Sequence, residues 1–360
     1  MKGKARQANI ELLRIIAMFM VVALHYLVKG QAAVSLVENT SVINVVLWLV
    51  KAMCIVTINV YVLISGYFLL EANWKISRLV NLWFQTLFYS IGVPVVCLVL
   101  GIGEVEQWGL YDWINVFLPV QMEHYWFITA YAVMYLFVPV LSAGVKHMTK
   151  KQHQLVIAGL LLIFSIPKTI IPIYIPIDRY GYDFGWFMCL FMIAAYIRLY
   201  GISFFNRSTK SLLVYVAAVL GIWGISVGCG ILSRKGLPLA YMMDMTYCYN
   251  HLLVLIASVA LFYAFTYIRI PQGKISDIIC KISSYTLGVY LLHENLAVRT
   301  KWQFWAGIEN VRNGFEILPH MIITVLAVFT AGVAVDFVRD CIFKFIKRFC
   351  KKIFVGKTAK

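Results

Sequence analysis

Apolar runs recur along the whole chain, and most reach the roughly 20 residues that a helix needs to cross about 30 Å of hydrocarbon. In lipid every backbone N–H and C=O must be satisfied within the protein, which leaves helices or a closed barrel. A barrel would show short alternating strands, whereas these runs are continuous. Composition agrees. Of 360 residues, 62% are apolar and 13% charged, against about 25% charged in soluble domains, and mean hydropathy is +0.81. The chain is therefore predicted to be all-α, a polytopic integral membrane helical bundle.

Ten spans are predicted, at about 9–29, 42–70, 76–100, 122–143, 152–170, 184–200, 211–229, 246–268, 278–297 and 318–338. The first lacks a small-residue cleavage site and reads as a span, not a removable signal. Pro167, Pro172 and Pro176 interrupt the fifth. With a cytoplasmic N-terminus, 22 of the 32 Lys and Arg fall on that side and eight on the other, with Arg14 and Lys51 inside spans. This asymmetry predicts both termini inside.

The net charge of +16 sits on short loops and on the C-terminal tail. It is assigned to orientation and to anionic membrane lipids, and no nucleic-acid partner is expected. The chain divides into a transmembrane domain at 1–340 and a basic cytoplasmic tail at 341–360. Phe343, Ile346 and Phe349 recur there at a spacing that suits an interfacial amphipathic helix. The eight cysteines form no CxxC pair, and they read as small buried hydrophobes; no metal site is expected.

Within the first span, Arg14 and His25 are eleven residues apart. At 100° per residue that is about 1100°, some 20° past three turns, so both side chains lie on one stripe roughly 16 Å apart. An ionisable residue inside a span is costly unless it faces the bundle interior or an aqueous cavity, which makes the pair a functional-site candidate. Such a pair serves either chemistry or the transport of a polar solute.

Four landmarks follow in order: Arg14 with His25, the segment NVYVLISGYFLL at 59–70 followed by Lys75 and Arg78, HYWFITAY at 124–131, and ISSYTLGVYLLH at 282–293. On these the chain resembles acyltransferase family 3, integral membrane enzymes that include bacterial surface-polysaccharide O-acetyltransferases. The resemblance spans essentially the full length. It implies transfer of an acetyl or other short acyl group from cytoplasmic acyl-CoA to a hydroxyl of an envelope saccharide or its lipid-linked precursor. It also implies that the first-span Arg14 and His25 are essential. Acetyl-CoA would then be a donor substrate, with no tightly bound cofactor. Some relatives carry an appended esterase-like domain; none is expected here, so the chain would complete the transfer itself or hand over to another protein. The rival readings are an exporter of a glycoconjugate and a membrane module whose partner performs the chemistry.

For such a reaction the acceptor hydroxyl needs a base, and His25 is the candidate; a covalent acyl-imidazole is the alternative route. Arg14, near the cytoplasmic end, suits CoA phosphates, or an internal ion pair with Glu11. Lys75 and Arg78 on the next inner loop either extend that cradle or only set topology. Toward the outer end, Glu123, His124, His293 and Glu294 form a second group. His293 is a catalytic candidate or an interhelical packing residue, and Glu123 or Glu294 would orient an imidazole. His124 and Trp126 fit either substrate contact or an interfacial aromatic belt. Asn59, Tyr61 and Tyr67 are candidate cavity-lining hydrogen-bond groups, and Tyr131, with Trp126 and Trp186, is a candidate to stack against a sugar or a prenyl-linked carrier. Ser65 and Gly66 are read as sites of close helix approach.

Overall fold

The structure, a computed structural model, describes residues 6–171, 173, 175 and 179–357, with side chains to 349; Pro172 and Pro176 lie outside the described residues. Among those residues there are sixteen α-helices and no strand. The first is α1 (Ala8–Lys29), followed by α2 (Val42–Cys54), α3 (Thr57–Leu69), α4 (Ile76–Leu100), α5 (Leu110–Phe117) and α6 (Trp126–His147). Then come α7 (Lys150–Phe164), α8 (Ile166–Ile170), α9 (Phe184–Tyr200), α10 (Ser208–Arg234) and α11 (Ala240–Met245). The chain closes with α12 (Leu252–Thr266), α13 (Lys274–Ser283), α14 (Thr286–His293), α15 (Trp302–Trp305) and α16 (Ile317–Lys357).

Seven segments are long and apolar enough to cross a membrane: α1, the α2–α3 pair, α4, α6, α10, the α13–α14 pair and Ile317–Phe349 of α16. The apolar helices α9 and α12 are shorter. The predicted fifth span is divided at Ser165 into a fifteen-residue helix that opens KKQHQ and the five-residue α8. Pro167 disfavours helical geometry in the residue before it and lacks an N–H to continue the ladder. The predicted ninth span starts earlier, at Lys274, and is broken at Ser284–Tyr285. The last span runs on past 338 without interruption, so the basic tail continues the same helix to Lys357.

Helix α1 is the hub, packing against α2, α3, α12, α13, α14 and α16. It is 67% buried, against 28% for α4, so α1 presents little surface to lipid. This position resolves the cost of its polar residues: Arg at the centre of a lipid-facing helix costs roughly 2.5–3.5 kcal/mol on insertion scales.

Two close approaches fix the helices around this hub. A Cβ on Gly66 would lie 2.9 Å from Ala194 Cβ and 3.2 Å from Phe191 Cα, so the glycine sets the contact between α3 and α9. A Cβ on Gly288 would fall 2.3 Å from Asp336 Cβ, drawing α14 against α16. Asp336 is fully buried. Its carboxylate accepts from Gln85 Nε2 at 3.0 Å, Tyr89 Oη at 2.9 Å, and Arg339 Nε and Nη2 at 2.8 and 3.0 Å. A buried charge persists when paired and hydrogen-bonded in this way, and here it ties α4 to α16.

Candidate functional site

The two ends of α1 carry two different polar arrangements. At the N-terminal end Glu11 is buried and its carboxylate receives Arg6 Nε and Nη2, both at 3.0 Å, and Ser283 Oγ at 2.5 Å. Arg14 lies one turn further, with Nε 3.8 Å from Glu11 Oε2. That contact is an ion pair and is too long for a hydrogen bond. Arg14 Nε has no hydrogen-bond partner among the described residues. Arg6 and Ser283 make the hydrogen bonds to Glu11, and the Arg14 side chain lines the adjoining cavity. The Arg14 backbone carbonyl accepts from Tyr61 Oη at 2.7 Å, which pins α1 to α3 at this level.

A cavity of about 410 Å³ begins here, lined by Arg6, Arg14, Arg78, Tyr61, Tyr131 and Tyr290 among others. Arg6 and Arg78 are exposed and Tyr290 is buried, so the cavity passes from a cationic end to an apolar, aromatic interior. Its lining includes Val21, one turn before His25 on α1, and Tyr290, one turn before His293 on α14. The cavity lining thus stops about one helical turn short of both histidines.

At that second end His25 Nδ1 is 2.9 Å from His293 Nε2 and 3.2 Å from Glu294 Oε1. Lys29, four residues after His25, pairs with the same Glu294 oxygen. His293 Nδ1 is 2.6 Å from the Val289 carbonyl. A carbonyl only accepts, so His293 carries its proton on Nδ1, and in a neutral ring its Nε2 is then an acceptor. His25 Nδ1 therefore donates, facing acceptors in both His293 and Glu294. The lone pair of His25 is left on Nε2. Ligand atoms of His25, His293 and Glu294 lie within 4.8 Å of one another, close enough to ligate a metal. In the observed arrangement the two rings share a proton and Lys29 holds the carboxylate, a set suited to acid–base work.

The other predicted residues fall in distinct places. Arg78 and Tyr131 line the cavity with Arg14. Lys75 is the exposed residue preceding α4; its backbone N–H and C=O both meet Tyr135 Oη, at 3.3 and 3.0 Å. Glu123 is half-exposed and bonds Arg179 Nη1 and Nη2 at 3.2 and 3.1 Å, so the carboxylate beside the histidine pair is Glu294. His124 is buried with both nitrogens engaged, Nε2 accepting from Leu296 N–H and Nδ1 facing Ser90 Oγ, each at 3.1 Å. It holds the chain just beyond Glu294 and leaves no ring edge for a ligand. Trp126 packs among Tyr182 and Tyr249, with ring centroids 4.5 and 5.9 Å away. Asn59 is fully buried, donating to Tyr249 O at 2.7 Å and accepting from Trp186 Nε1 at 2.9 Å; both halves of its amide are occupied by structure.

Tyr61, read from the sequence as a cavity-lining group, does line the cavity, whereas sequence reasoning did not single out Lys29 or Ser283. Lys29 had a signal, being four residues from His25 on the same stripe. Ser283 had none, because it meets Glu11 only through the tertiary packing of α13 on α1.

Fold and site together describe a multi-pass helical membrane protein with a cation-lined cavity at one end of α1 and a hydrogen-bonded histidine pair toward the other. Residues 7–339 match the family model described as an acyltransferase domain. The chain belongs to acyltransferase family 3, as the four sequence landmarks implied. No curated protein and no solved structure matches it.

Proposed function

We propose that this protein transfers an acetyl group from acetyl-CoA to a hydroxyl of an envelope saccharide or its lipid-linked precursor. The observation that carries this reading is the fixed His25 ring, with Nδ1 committed to His293 and Glu294 and Nε2 left as a base, four residues along α1 from the cavity-lining Val21. CoA phosphates would meet Arg6, Arg14 and Arg78, since guanidinium forks bind phosphate bidentately. The extended arm would run along the cavity, bringing the thioester over the roughly 16 Å of helix between Arg14 and His25.

In the transfer step the acceptor oxygen attacks the thioester carbonyl as its proton passes to His25 Nε2. The imidazolium formed is stabilised through Nδ1–H by Glu294, as the third group does in triad chemistry. The tetrahedral intermediate then expels the CoA sulfur, which takes the proton back from His25, and the saccharide leaves as its acetyl ester. His293 is a positioning residue that holds the His25 tautomer.

For topology we propose ten crossings with both termini cytoplasmic, in a bacterial inner membrane, with 1–340 as the transmembrane enzyme and 341–360 as the basic tail. The basic asymmetry supports this, and it places the arginine end of the cavity on the side where acyl-CoA is made. The test is CoA release and a mass gain of one acetyl unit on saccharide by purified protein, repeated with His25→Gln. Full transfer by a normally inserted His25→Gln protein would remove His25 from the mechanism.

A further inference from the structure

A second polar cavity lies at the histidine end of α1, separate from the arginine-lined one. It has a volume of about 430 Å³, within the roughly 300–1,000 Å³ of small-molecule sites. Its rim carries Gln31, Asn39, Ser41, Arg312 and Asn313, and its floor includes Asn44 against the apolar Ala32, Ile43 and Leu47. Gln31 is six residues past His25 and two past the end of α1 at Lys29.

Three observations point to a ligand. Asn44 is 2% exposed, and its Nδ2 donates to Val34 O at 3.0 Å and Asn39 O at 2.6 Å, which fixes the amide's orientation. Its Oδ1 is a buried acceptor without a donor among the described residues, and a buried acceptor is costly unless a donor meets it. Arg312 is exposed on the rim, and no side-chain partner is seen for it among the described residues. Finally, the segment that supplies Arg312 and Asn313 is fastened to the catalytic helix. Gln303 Nε2 donates to the His25 carbonyl at 3.2 Å, and Ile308 packs so tightly on Gly30 that a Cβ there would lie 2.6 Å from Ile308 Cδ1.

We infer that this cavity binds a saccharide unit of the acceptor. Amide and hydroxyl groups around the rim match the alternating donors and acceptors of sugar hydroxyls. The aliphatic floor suits the C–H face of a pyranose, and Arg312 is placed for a vicinal diol or an acidic substituent. The two cavities then divide the substrates: the donor at the arginine end, the acceptor held beyond His25. This inference rests on the proposed transfer to a saccharide, and the test separates the two.

Saturation-transfer NMR on the detergent-solubilised full chain would use glucose, N-acetylglucosamine and glucuronate as probes. Ring protons of at least one should receive saturation from the protein, and binding should weaken about tenfold in the Ser41→Ala/Asn313→Ala protein, the loss expected of two hydrogen bonds. Arg312→Gln provides a second variant should the first not fold, and it should weaken glucuronate more than glucose. No saturation of any probe, or equal saturation in wild type and variants, overturns the subsite. CoA release from acetyl-CoA with glycan extracted from cells lacking the gene is measured on the same samples. Saccharide contact without CoA release upholds the subsite and removes the transfer reaction; CoA release with no saccharide contact does the reverse.

Discussion

The two ends of α1 are built on opposite logics. At the arginine end Arg6 and Ser283 make the hydrogen bonds to the fixed carboxylate, and Arg14, its Nε unpartnered among the described residues, stands at the wall of a cavity. At the histidine end each group is committed to another: His25 to His293 and Glu294, Glu294 to Lys29, His293 to a backbone carbonyl. An end with spare donors is suited to capture something that arrives and leaves. An end with none to spare is suited to hold one atom, His25 Nε2, in place. The difference teaches that binding and chemistry are separable along one helix, and substitutions should sort accordingly.

The largest effect belongs to the histidine end. His25→Gln should lower kcat for acetyl transfer at least about 100-fold while membrane insertion is preserved, as expected for loss of a general base; a CoA-release assay with a thiol reagent reads it. Next, Arg14→Ala should raise the KM for acetyl-CoA roughly 10- to 100-fold, the equivalent of a lost charge-assisted contact worth about 1.5–3 kcal/mol. Its kcat should change much less. If Arg14→Ala instead depressed kcat with KM intact, the division between the two ends would be wrong.

Glu294→Gln sharpens the same comparison. It keeps the shape but removes the charge that stabilises an imidazolium, so kcat should drop about tenfold with little change in donor KM. Glu123→Gln should be the mildest. Its pair with Arg179 is half-exposed, and such pairs contribute about 0–1 kcal/mol, so transfer should stay within about twofold. Sidedness can be checked independently of mutation: acetyl-CoA should support labelling in inside-out vesicles and fail when added outside right-side-out ones.

The stripe shared by Arg14 and His25 was legible because helical periodicity is a local property, and eleven residues return close to the same face. Arg78 and Tyr131 at the cavity, and Gly66 between α3 and α9, were readable for similar reasons of motif and residue size. What was not legible depends on distant partners. Nothing near Glu11 announces that Ser283 will reach it, nor does anything near His124 reveal that the backbone at Leu296 and the hydroxyl of Ser90 will occupy its ring. Asn59 looked like a cavity group because an amide in an apolar run is unusual, and its partners, Trp186 and the carbonyl of Tyr249, lie more than a hundred residues away. Hydropathy also gave no warning that the segments at 42–70 and 278–297 would each form two helices, since a break at Ile55–Val56 or Ser284–Tyr285 leaves the apolar count unchanged.

The unbroken course of α16 sets a length scale for the side of the membrane on which the chain ends. Forty-one helical residues rise about 61 Å, twice the roughly 30 Å of hydrocarbon available to them. The buried Asp336–Arg339 pair anchors the helix, and the residues after it continue along the same axis for about 27 Å more. For the tail to lie flat on the leaflet it would need a hinge near Arg339, and the helix has none there. To Lys357 the basic tail continues the last span as one helix, so a partner that met this stretch of helix would do so at a height above the bilayer set by helical rise.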